Sequence, residues 1–208
     1  MKHRLPAAYN RPILKAILEF GLIESGDKVL VGFSGGKDSA FLLYALKVLR
    51  EHGIIQCELG ALTIDLGFPG DFPMETLQEY CSELEVPWYT FSTTIAQVAE
   101  KQAGGPCNFC SHLQRGAMNR FAATNGYNKV ALAHHHDDAV ETFLMSMLYS
   151  GQLRTFQPKT VWERSGTVGI RPLVYLREHE IKKALEFVPF EPVPSPCPHG
   201  IRTQRKRV

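Results

Sequence analysis

The stretch GFSGGKDSAF, residues 32–41, decides the fold of this chain. The apolar run DKVLV precedes it and is typical of a short buried strand, whereas apolar residues at helical spacing follow it as far as Gly53. The sequence therefore predicts a strand, a tight loop and a helix in succession. Such a loop exposes the unpaired N–H groups of the first helical turn, and these groups attract phosphate.

The residue types of the loop favour a phosphate ligand. Gly35 and Gly36 let an anion approach the backbone closely, and Lys37 adds positive charge. The hydroxyl groups of Ser34 and Ser39 can donate hydrogen bonds to phosphate oxygens. A glycine-rich turn without a ligand is the alternative interpretation.

A Walker A loop is excluded. That motif, G-x4-G-K-[ST], needs a glycine where Val31 stands and a serine or threonine where Asp38 follows Lys37. The chain is therefore not expected to be a P-loop kinase or GTPase.

Length and composition indicate a globular α/β protein. The 208 residues carry a formal net charge of +2, too small to indicate a nucleic-acid partner. No apolar run reaches the length of a membrane span and no secretory signal is recognisable, so we expect a cytoplasmic protein without membrane contact. Five cysteines, an odd number, favour a reducing compartment. We expect an N-terminal helical segment over residues 1–27 and one domain over residues 28–208 that includes the C-x2-C pair and a cysteine-containing C-terminal tail.

Short apolar runs alternate with helical patterns along the chain. The predicted strands are VLVGF (29–33), LGALTID (59–65), WYTFS (88–92), KVALAHH (129–135) and TVGIRPL (167–173). The predicted helices cover residues 10–23, 39–49, 73–84, 111–124, 137–151 and 177–187, and residues 150–166 are predicted to form a surface loop. This order predicts a parallel sheet with helices on both faces. Ligands of such sheets bind at the carboxyl ends of the strands, where the SGGKDS, LTID and HHHDD stretches are expected to converge.

The stretches GFSGGKDS, LTID and ALAHHHDDAVETFL together resemble the PP-loop ATP pyrophosphatases. Within that group, CNFC followed by SHLQRG, and a late PCPHG, are similar to tRNA 2-thiolation enzymes related to tRNA 2-thiocytidine synthetase. Lysidine synthetases share the first motifs but lack these cysteines. The resemblance covers roughly residues 28–205 and implies a PP-loop fold of the adenine nucleotide alpha hydrolase-like (HUP-like) type.

The resemblance also implies an activity with its cofactors and partners. ATP would activate the C2 oxygen of a tRNA pyrimidine as an adenylate, and sulfide would then displace AMP. Mg²⁺, a 4Fe-4S cluster held by three cysteines, a homodimer and a sulfur donor, either a cysteine desulfurase or free sulfide, are expected as well. The loop from Ser34 to Ser39 would bind phosphates, Ile64 at the end of LTID would offer its backbone to adenine, and His134 would line the nucleotide pocket.

Three cysteines form the candidate metal site. Cys107 and Cys110 form a C-x2-C pair in a predicted loop that runs into a helix, a spacing that lets both thiolates reach one metal centre. Cys197 is flanked by prolines, which stiffen a segment that can bring a third ligand. By resemblance the three cysteines hold the cluster. Unrelated thiols, a zinc site completed by His199, and a redox or persulfide-carrying pair are the alternatives.

The HHHDD stretch, residues 134–138, supplies the candidate catalytic group. Asp137 and Asp138 stand at a predicted helix N-terminus, where capping alone explains a carboxylate. By resemblance, Asp138 acts near the reacting base, either as proton acceptor or through Mg²⁺. Asp38 would orient Mg²⁺ against the triphosphate.

Two features depart from the family pattern. Gln114 stands where 2-thiolation enzymes commonly carry a basic residue, so either the adjacent Arg115 supplies the charge or the substrate differs. The sequence also ends soon after Cys197, where relatives usually continue, so we expect that part of the substrate-binding surface is either missing or supplied by another subunit. The alternative functions are a lysidine-type or amide-forming PP-loop ligase with structural zinc, and a non-catalytic nucleotide- or cluster-binding module.

Contacts with tRNA phosphates are expected from basic residues in the long loop and the C-terminal tail. These are Arg154, Lys159, Arg164, Arg202, Arg205, Lys206 and Arg207. Taken singly, each of them is better explained as solvated surface. The small net charge does not exclude an RNA substrate, because small folded RNAs are recognised largely by shape and by unstacked bases.

Overall fold

A computed structural model describes residues 3–70, 72–101 and 106–198, apart from the side chains of Pro106 and Asn108. Six strands form one sheet: β1 (Asp27–Gly32), β2 (Cys57–Asp65), β3 (Trp88–Ser92), β4 (Lys129–Ala131), β5 (Lys159–Trp162) and β6 (Thr167–Ile170). Their order in the sheet is β3-β2-β1-β4-β6-β5. All neighbouring pairs are parallel except β5 and β6, which are antiparallel.

Seven α-helices surround the sheet in the described part of the chain. They are α1 (Ala7–Glu19), α2 (Lys37–Glu51), α3 (Met74–Glu83), α4 (Ile95–Glu100), α5 (Pro106–Thr124), α6 (His136–Ser150) and α7 (Glu178–Ala184), and a 3-10 turn (Leu185–Phe187) follows α7. The predicted sheet with helices on both faces is therefore confirmed. Among the described residues, no helix combines the length and apolar character that a membrane crossing needs.

Alternating side chains of the strands produce two cores, one on each face of the sheet. Val29 and Val31 of β1 belong to the larger core. Leu30, between them, points to the other face and packs in a smaller cluster with Met118 and Ala122 of α5. This alternation follows from the two-residue period of a strand. As a result, α5 packs on one face of the sheet and α2 packs on the other. The helix α5 carries two of the candidate cysteines.

The helix that follows the glycine-rich loop is buried along most of its length. Every residue of α2 from Ser39 to Leu49 is buried. The N-terminal helix α1 packs in the same core, with the Tyr9 ring 6.4 Å from the Phe41 ring. Apolar residues on all sides of a helix indicate that it is enclosed on every side, so the loop in front of α2 rests on a rigid support.

Several predicted boundaries were wrong. The predicted surface loop 150–166 contains β5, an edge strand whose Trp162 ring occupies the space that a side chain at Gly169 would fill. The predicted strand 129–135 ends at Ala131, and α4 was not predicted. These elements are short, and tertiary contacts rather than a repeated apolar pattern specify them.

The position of the C-x2-C pair was also wrong. Cys107 and Cys110 lie inside α5, near its N-terminus, and not in a loop before the helix. The helix begins at Pro106, a residue that is favoured at the first helical position because its missing N–H would be unpaired there in any case.

Candidate active site

A cleft of about 820 Å³ opens at the carboxyl ends of β1, β2 and β4. The glycine-rich loop, the end of β2, the start of α6, the first turns of α5 and the C-terminal segment all contribute to its lining. The predicted convergence of the SGGKDS, LTID and HHHDD stretches is therefore observed. In open α/β sheets this edge is where ligands bind.

The glycine-rich loop is organised by its two serines. The Ser39 hydroxyl donates to the Gly36 carbonyl at 2.9 Å and accepts from the Ser34 N–H at 3.2 Å. Gly36 is the N-cap of α2 and has no side chain to pair with the first N–H groups of that helix. Ser34, Gly36 and Ser39 line the cleft. The start of α2 therefore presents N–H groups and hydroxyls at a surface suited to an anion.

The C-terminal segment lies directly on this loop. Gly35 has a φ of +76°, and a Cβ atom there would collide with Val193. The Val193 N–H donates to the Gly35 carbonyl at 2.9 Å. The Phe190 ring lies 5.6 Å from Phe33 and 4.6 Å from Tyr80. These contacts carry the chain toward Cys197, which lines the same cleft.

Lys37, the predicted phosphate ligand of the loop, is held by two carboxylates. It is absent from the residues that line the cleft, although Asp38 lines it. The Nζ atom of Lys37 lies 2.8 Å from Asp38 Oδ2 and 3.1 Å from Glu178 Oε1. Burial alone would lower the pKa of Lys37, but hydrogen bonds and charge from Asp38 and Glu178 outweigh burial and raise that pKa above its ordinary value.

The end of β2 forms the wall where adenine was expected. Ile64 and Asp65 line the cleft. The Thr63 hydroxyl donates to the Phe33 carbonyl at 2.8 Å and accepts from Trp88 Nε1 at 3.0 Å, which joins β2 to its neighbours. Sequence reasoning did not single out Asp65, whose Oδ1 accepts from the Gly67 N–H at 2.9 Å. Asp65 is the last residue of a buried strand, and this position in the sequence could have indicated that it lines the cleft.

The three histidines point in different directions, as expected for consecutive residues. His134 lines the cleft, and its ring lies 5.0 Å from that of Phe156. His135 is buried and caps α6, accepting from the Asp138 N–H at 3.4 Å. The His136 N–H donates to the Leu176 carbonyl at 2.9 Å. Of the three, only His134 is placed to meet a ligand in the cleft.

Both aspartates of the HHHDD stretch have local partners. Asp138 Oδ2 accepts from the His135 N–H at 3.0 Å, which completes a capping box at the start of α6. Asp138 also lines the cleft. Asp137 Oδ2 instead accepts from the Glu178 N–H at 2.6 Å. Asp137 thus ties α6 to α7, whereas Asp138 combines a cap with a place in the cleft.

Cys107, Cys110 and Cys197 all line the cleft. Burial raises the pKa of Cys110, and the nearby Cys197 and Cys107 raise it further. Within the described residues, no group of three His, Cys, Asp or Glu side chains is close enough to share a single metal ion. A cluster does not require that closeness, since each of its cysteines binds a different iron. Three thiols that line one cleft are the donor type that an iron–sulfur cluster takes, while His199, the fourth ligand of the zinc alternative, lies outside the described residues.

Arg115 supplies positive charge at the cysteine end of the cleft. Gln114 and Arg115 both line the cleft from α5. Burial lowers the pKa of Arg171 to about 10, and the nearby Arg115 charge contributes to that shift. Two guanidinium groups therefore lie near each other on this side. The absence of a basic residue at position 114 does not leave the cleft without a cation.

The basic residues predicted to contact RNA are placed unevenly. Lys159 Nζ donates to the Gly21 carbonyl at 2.7 Å, which fixes β5 to the end of α1. Arg154 and Arg164 are exposed. The four basic residues of the tail, Arg202, Arg205, Lys206 and Arg207, lie outside the described residues.

The phosphate-suited loop, the parallel sheet and the cleft at its carboxyl edge define an ATP-binding α/β protein of the PP-loop class. A model of the PP-loop domain matches residues 7–191. The chain belongs to the PP-loop family.

Two bacterial relatives of this chain carry the same name. The chain is 38% identical over 213 residues to the tRNA-cytidine(32) 2-sulfurtransferase of Stenotrophomonas maltophilia, covering 100% of this chain and 69% of that protein. It is 39% identical over 212 residues to the enzyme of the same name from Anaeromyxobacter dehalogenans, covering 99% of this chain and 72% of that protein.

Solved structures share the fold. The U34-tRNA thiolase NcsA from Methanococcus maripaludis, solved with its [4Fe-4S] cluster, superimposes with a TM-score of 0.77 at 21% identity and covers 96% of this chain and 68% of that chain. The NH3-dependent NAD synthetase from Campylobacter jejuni superimposes with a TM-score of 0.57 at 16% identity and covers 88% of this chain and 73% of that chain.

Proposed function

We propose that this chain is an ATP-dependent tRNA sulfurtransferase that thiolates C2 of a pyrimidine, cytidine 32 by analogy with its relatives. The single observation that carries the proposal is the shared cleft. The glycine-rich loop, Asp138 and three cysteines from distant parts of the chain all line it. The names of the relatives and of the thiolase with the same fold support this substrate class.

The proposed reaction has two steps. The C2 oxygen of the base attacks the α-phosphorus of ATP, forming an O-adenylated base and releasing pyrophosphate. Sulfide then adds to C2, the C–O bond breaks, and AMP leaves as the C=S bond forms with loss of a proton. A carbonyl oxygen is a poor leaving group, and as part of AMP it becomes a good one. Sulfide comes free or from a cysteine desulfurase acting with a reductant.

Residues of the cleft take distinct roles in this proposal. The N–H groups and hydroxyls around Ser34, Gly36 and Ser39 bind the leaving pyrophosphate, and Asp38 orients Mg²⁺ on the phosphates. The backbone around Ile64 and the His134 ring line the adenine side. The Arg115 charge stabilises the negative charge that develops when sulfide adds to C2.

Asp138 is the proposed proton acceptor. Its carboxylate lines the cleft while the His135 N–H holds it in a fixed orientation. A positioned carboxylate at the reacting base removes the proton that the incoming sulfur brings.

Cys107, Cys110 and Cys197 would hold the 4Fe-4S cluster. When bound, a cluster with three cysteine ligands supplies one iron without a protein ligand, which can accept sulfur. The three thiols line the same cleft as the phosphate-binding loop, so a group that they hold would lie within that cleft.

The function is tested with protein purified without oxygen, ATP, Mg²⁺, sulfide and a transfer RNA carrying cytidine at position 32. Nucleoside mass spectrometry should detect 2-thiocytidine, with one AMP formed for each sulfur incorporated. The same RNA with uridine at position 32 is the matched control for base identity. Adenylation without sulfur incorporation, or incorporation of an added amine, would instead support the ligase alternative.

The proposal includes pairing of two copies through α6. No residue of this helix is buried, and Phe143, Leu148 and Tyr149 are 37%, 64% and 57% exposed. No charged residue occurs from Thr142 to Leu153, so two copies of this face can meet without charge repulsion.

Light scattering should therefore give the mass of a dimer. Leu148→Glu should give a monomer, because it places charge in the apolar face. Leu18→Glu is the matched control, since Leu18 is 73% exposed on α1. A wild-type monomer, or dissociation by both variants, would contradict pairing through α6.

A further inference from the structure

Lys37 lies between two carboxylates that belong to different elements. Its Nζ atom is 2.8 Å from Asp38 Oδ2 and 3.1 Å from Glu178 Oε1. Asp38 follows Lys37 in the first turn of α2, whereas Glu178 is the first residue of α7. Two carboxylates therefore hold Lys37 in place. One of them, Glu178, lies far from Lys37 in the sequence.

Glu178 is itself held in place. Its backbone N–H donates to Asp137 Oδ2 at 2.6 Å. Its Oε1 atom, which contacts Lys37, also lies 3.1 Å from Lys182 Nζ one turn further along α7. Asp137 precedes the proposed catalytic Asp138 at the start of α6. One residue of α7 thus connects the phosphate-binding loop with the helix that carries the catalytic carboxylate.

We propose that Glu178 is a positioning residue, which fixes the ammonium group of Lys37 beside the phosphate-binding loop. The inference rests on the proposed function in taking ATP as the substrate. Holding a cation by an ion pair has two effects of opposite sign. The carboxylate charge repels the incoming triphosphate, and the fixed ammonium orients that triphosphate once it is bound.

The prediction concerns Glu178→Gln, which keeps the length and the helix start but removes the charge. Calorimetry with inorganic pyrophosphate, and separately with ATP, should show binding that is about three- to tenfold tighter, because a negative charge near the ligand has gone. The single-turnover rate at saturating ATP should nevertheless fall about tenfold, because Asp38 alone then holds Lys37 and orients its ammonium group less well.

Glu180→Gln is the matched control. It removes the same charge from the same helix, and its side chain contacts the Arg177 N–H at 2.7 Å rather than Lys37. It should leave pyrophosphate affinity and turnover unchanged. Glu178→Asp adds a second test, because it keeps the charge but shortens the side chain. It should slow turnover without tightening pyrophosphate binding.

The decisive result is that pyrophosphate affinity rises while the single-turnover rate falls in Glu178→Gln. A purely structural role of Glu178 would weaken binding and slow turnover together, with a lower melting temperature, and would overturn the proposal. Unchanged pyrophosphate affinity in Glu178→Gln would overturn it too. The binding measurements need neither RNA nor a cluster, so they give an answer even when the protein thiolates no RNA.

Discussion

Cys197→Ala is expected to abolish iron–sulfur loading and RNA thiolation together. Protein purified without oxygen should be brown and contain about four irons per chain. The variant should be bleached and should incorporate sulfur roughly 100-fold more slowly, because two cysteines from one helix turn cannot hold a cluster that needs a third thiolate. Visible absorption, with iron, sulfide and zinc content, measures the first effect, and radioactive sulfur in RNA measures the second.

Cys57→Ala is the matched control for this experiment. Cys57 is half-buried at the start of β2 and is not among the residues that line the cleft. Its loss should leave the iron content and the rate unchanged. Wild-type protein that is colourless and holds one zinc would contradict the cluster and would direct attention to His199 and the ligase alternative. An unchanged iron content in Cys197→Ala would show that Cys197 is not a ligand.

Asp138→Asn is expected to slow single-turnover thiolation roughly 100- to 10,000-fold, the usual range for loss of a positioned general base. The amide oxygen of asparagine can still accept from the His135 N–H, so the capping contact at the start of α6 is kept. The variant therefore separates the two roles that the structure gives to Asp138. Rates are measured at saturating ATP and RNA, and the melting temperature is recorded beside them.

Glu141→Gln controls for the loss of one negative charge from α6, because Glu141 does not line the cleft. It should leave the rate unchanged. An unchanged rate in Asp138→Asn, with an unchanged melting temperature, would show that Asp138 is a cap and nothing more. The search for the proton acceptor would then move to Asp65 and His134, which line the same cleft.

Local motifs of this chain could be predicted from sequence because local physics specifies them. The strand, loop and helix around residues 32–41 follow from an apolar run, two glycines and a helical repeat, all within one short stretch. The divergence of the three histidines follows from the backbone alone. The convergence of the SGGKDS, LTID and HHHDD stretches was predictable because each follows a parallel strand, and ligands bind at the carboxyl ends of such strands.

Contacts between distant segments could not be predicted in the same way. The pairing of Lys37 with Glu178 depends on where α7 packs, and nothing near either residue in the sequence indicates it. Lys37 as a phosphate ligand stays a prediction, whereas its carboxylate partner on α7 is found only from the fold. Likewise, the edge strand β5 depends on Trp162 filling the space beside Gly169, which no repeated pattern signals.

The contact between Val193 and Gly35 has a consequence for the order in which the molecule is built. Cys107 and Cys110 emerge from the ribosome long before Cys197, and Cys197 reaches them only after the sheet exists for Phe190 and Val193 to dock on. The proposed three-thiol site is thus complete only after the segment from Phe190 to Cys197 has docked. Under the proposed function, iron delivered before that docking would meet an incomplete set of ligands, so insertion of the cluster would have to follow folding of this segment.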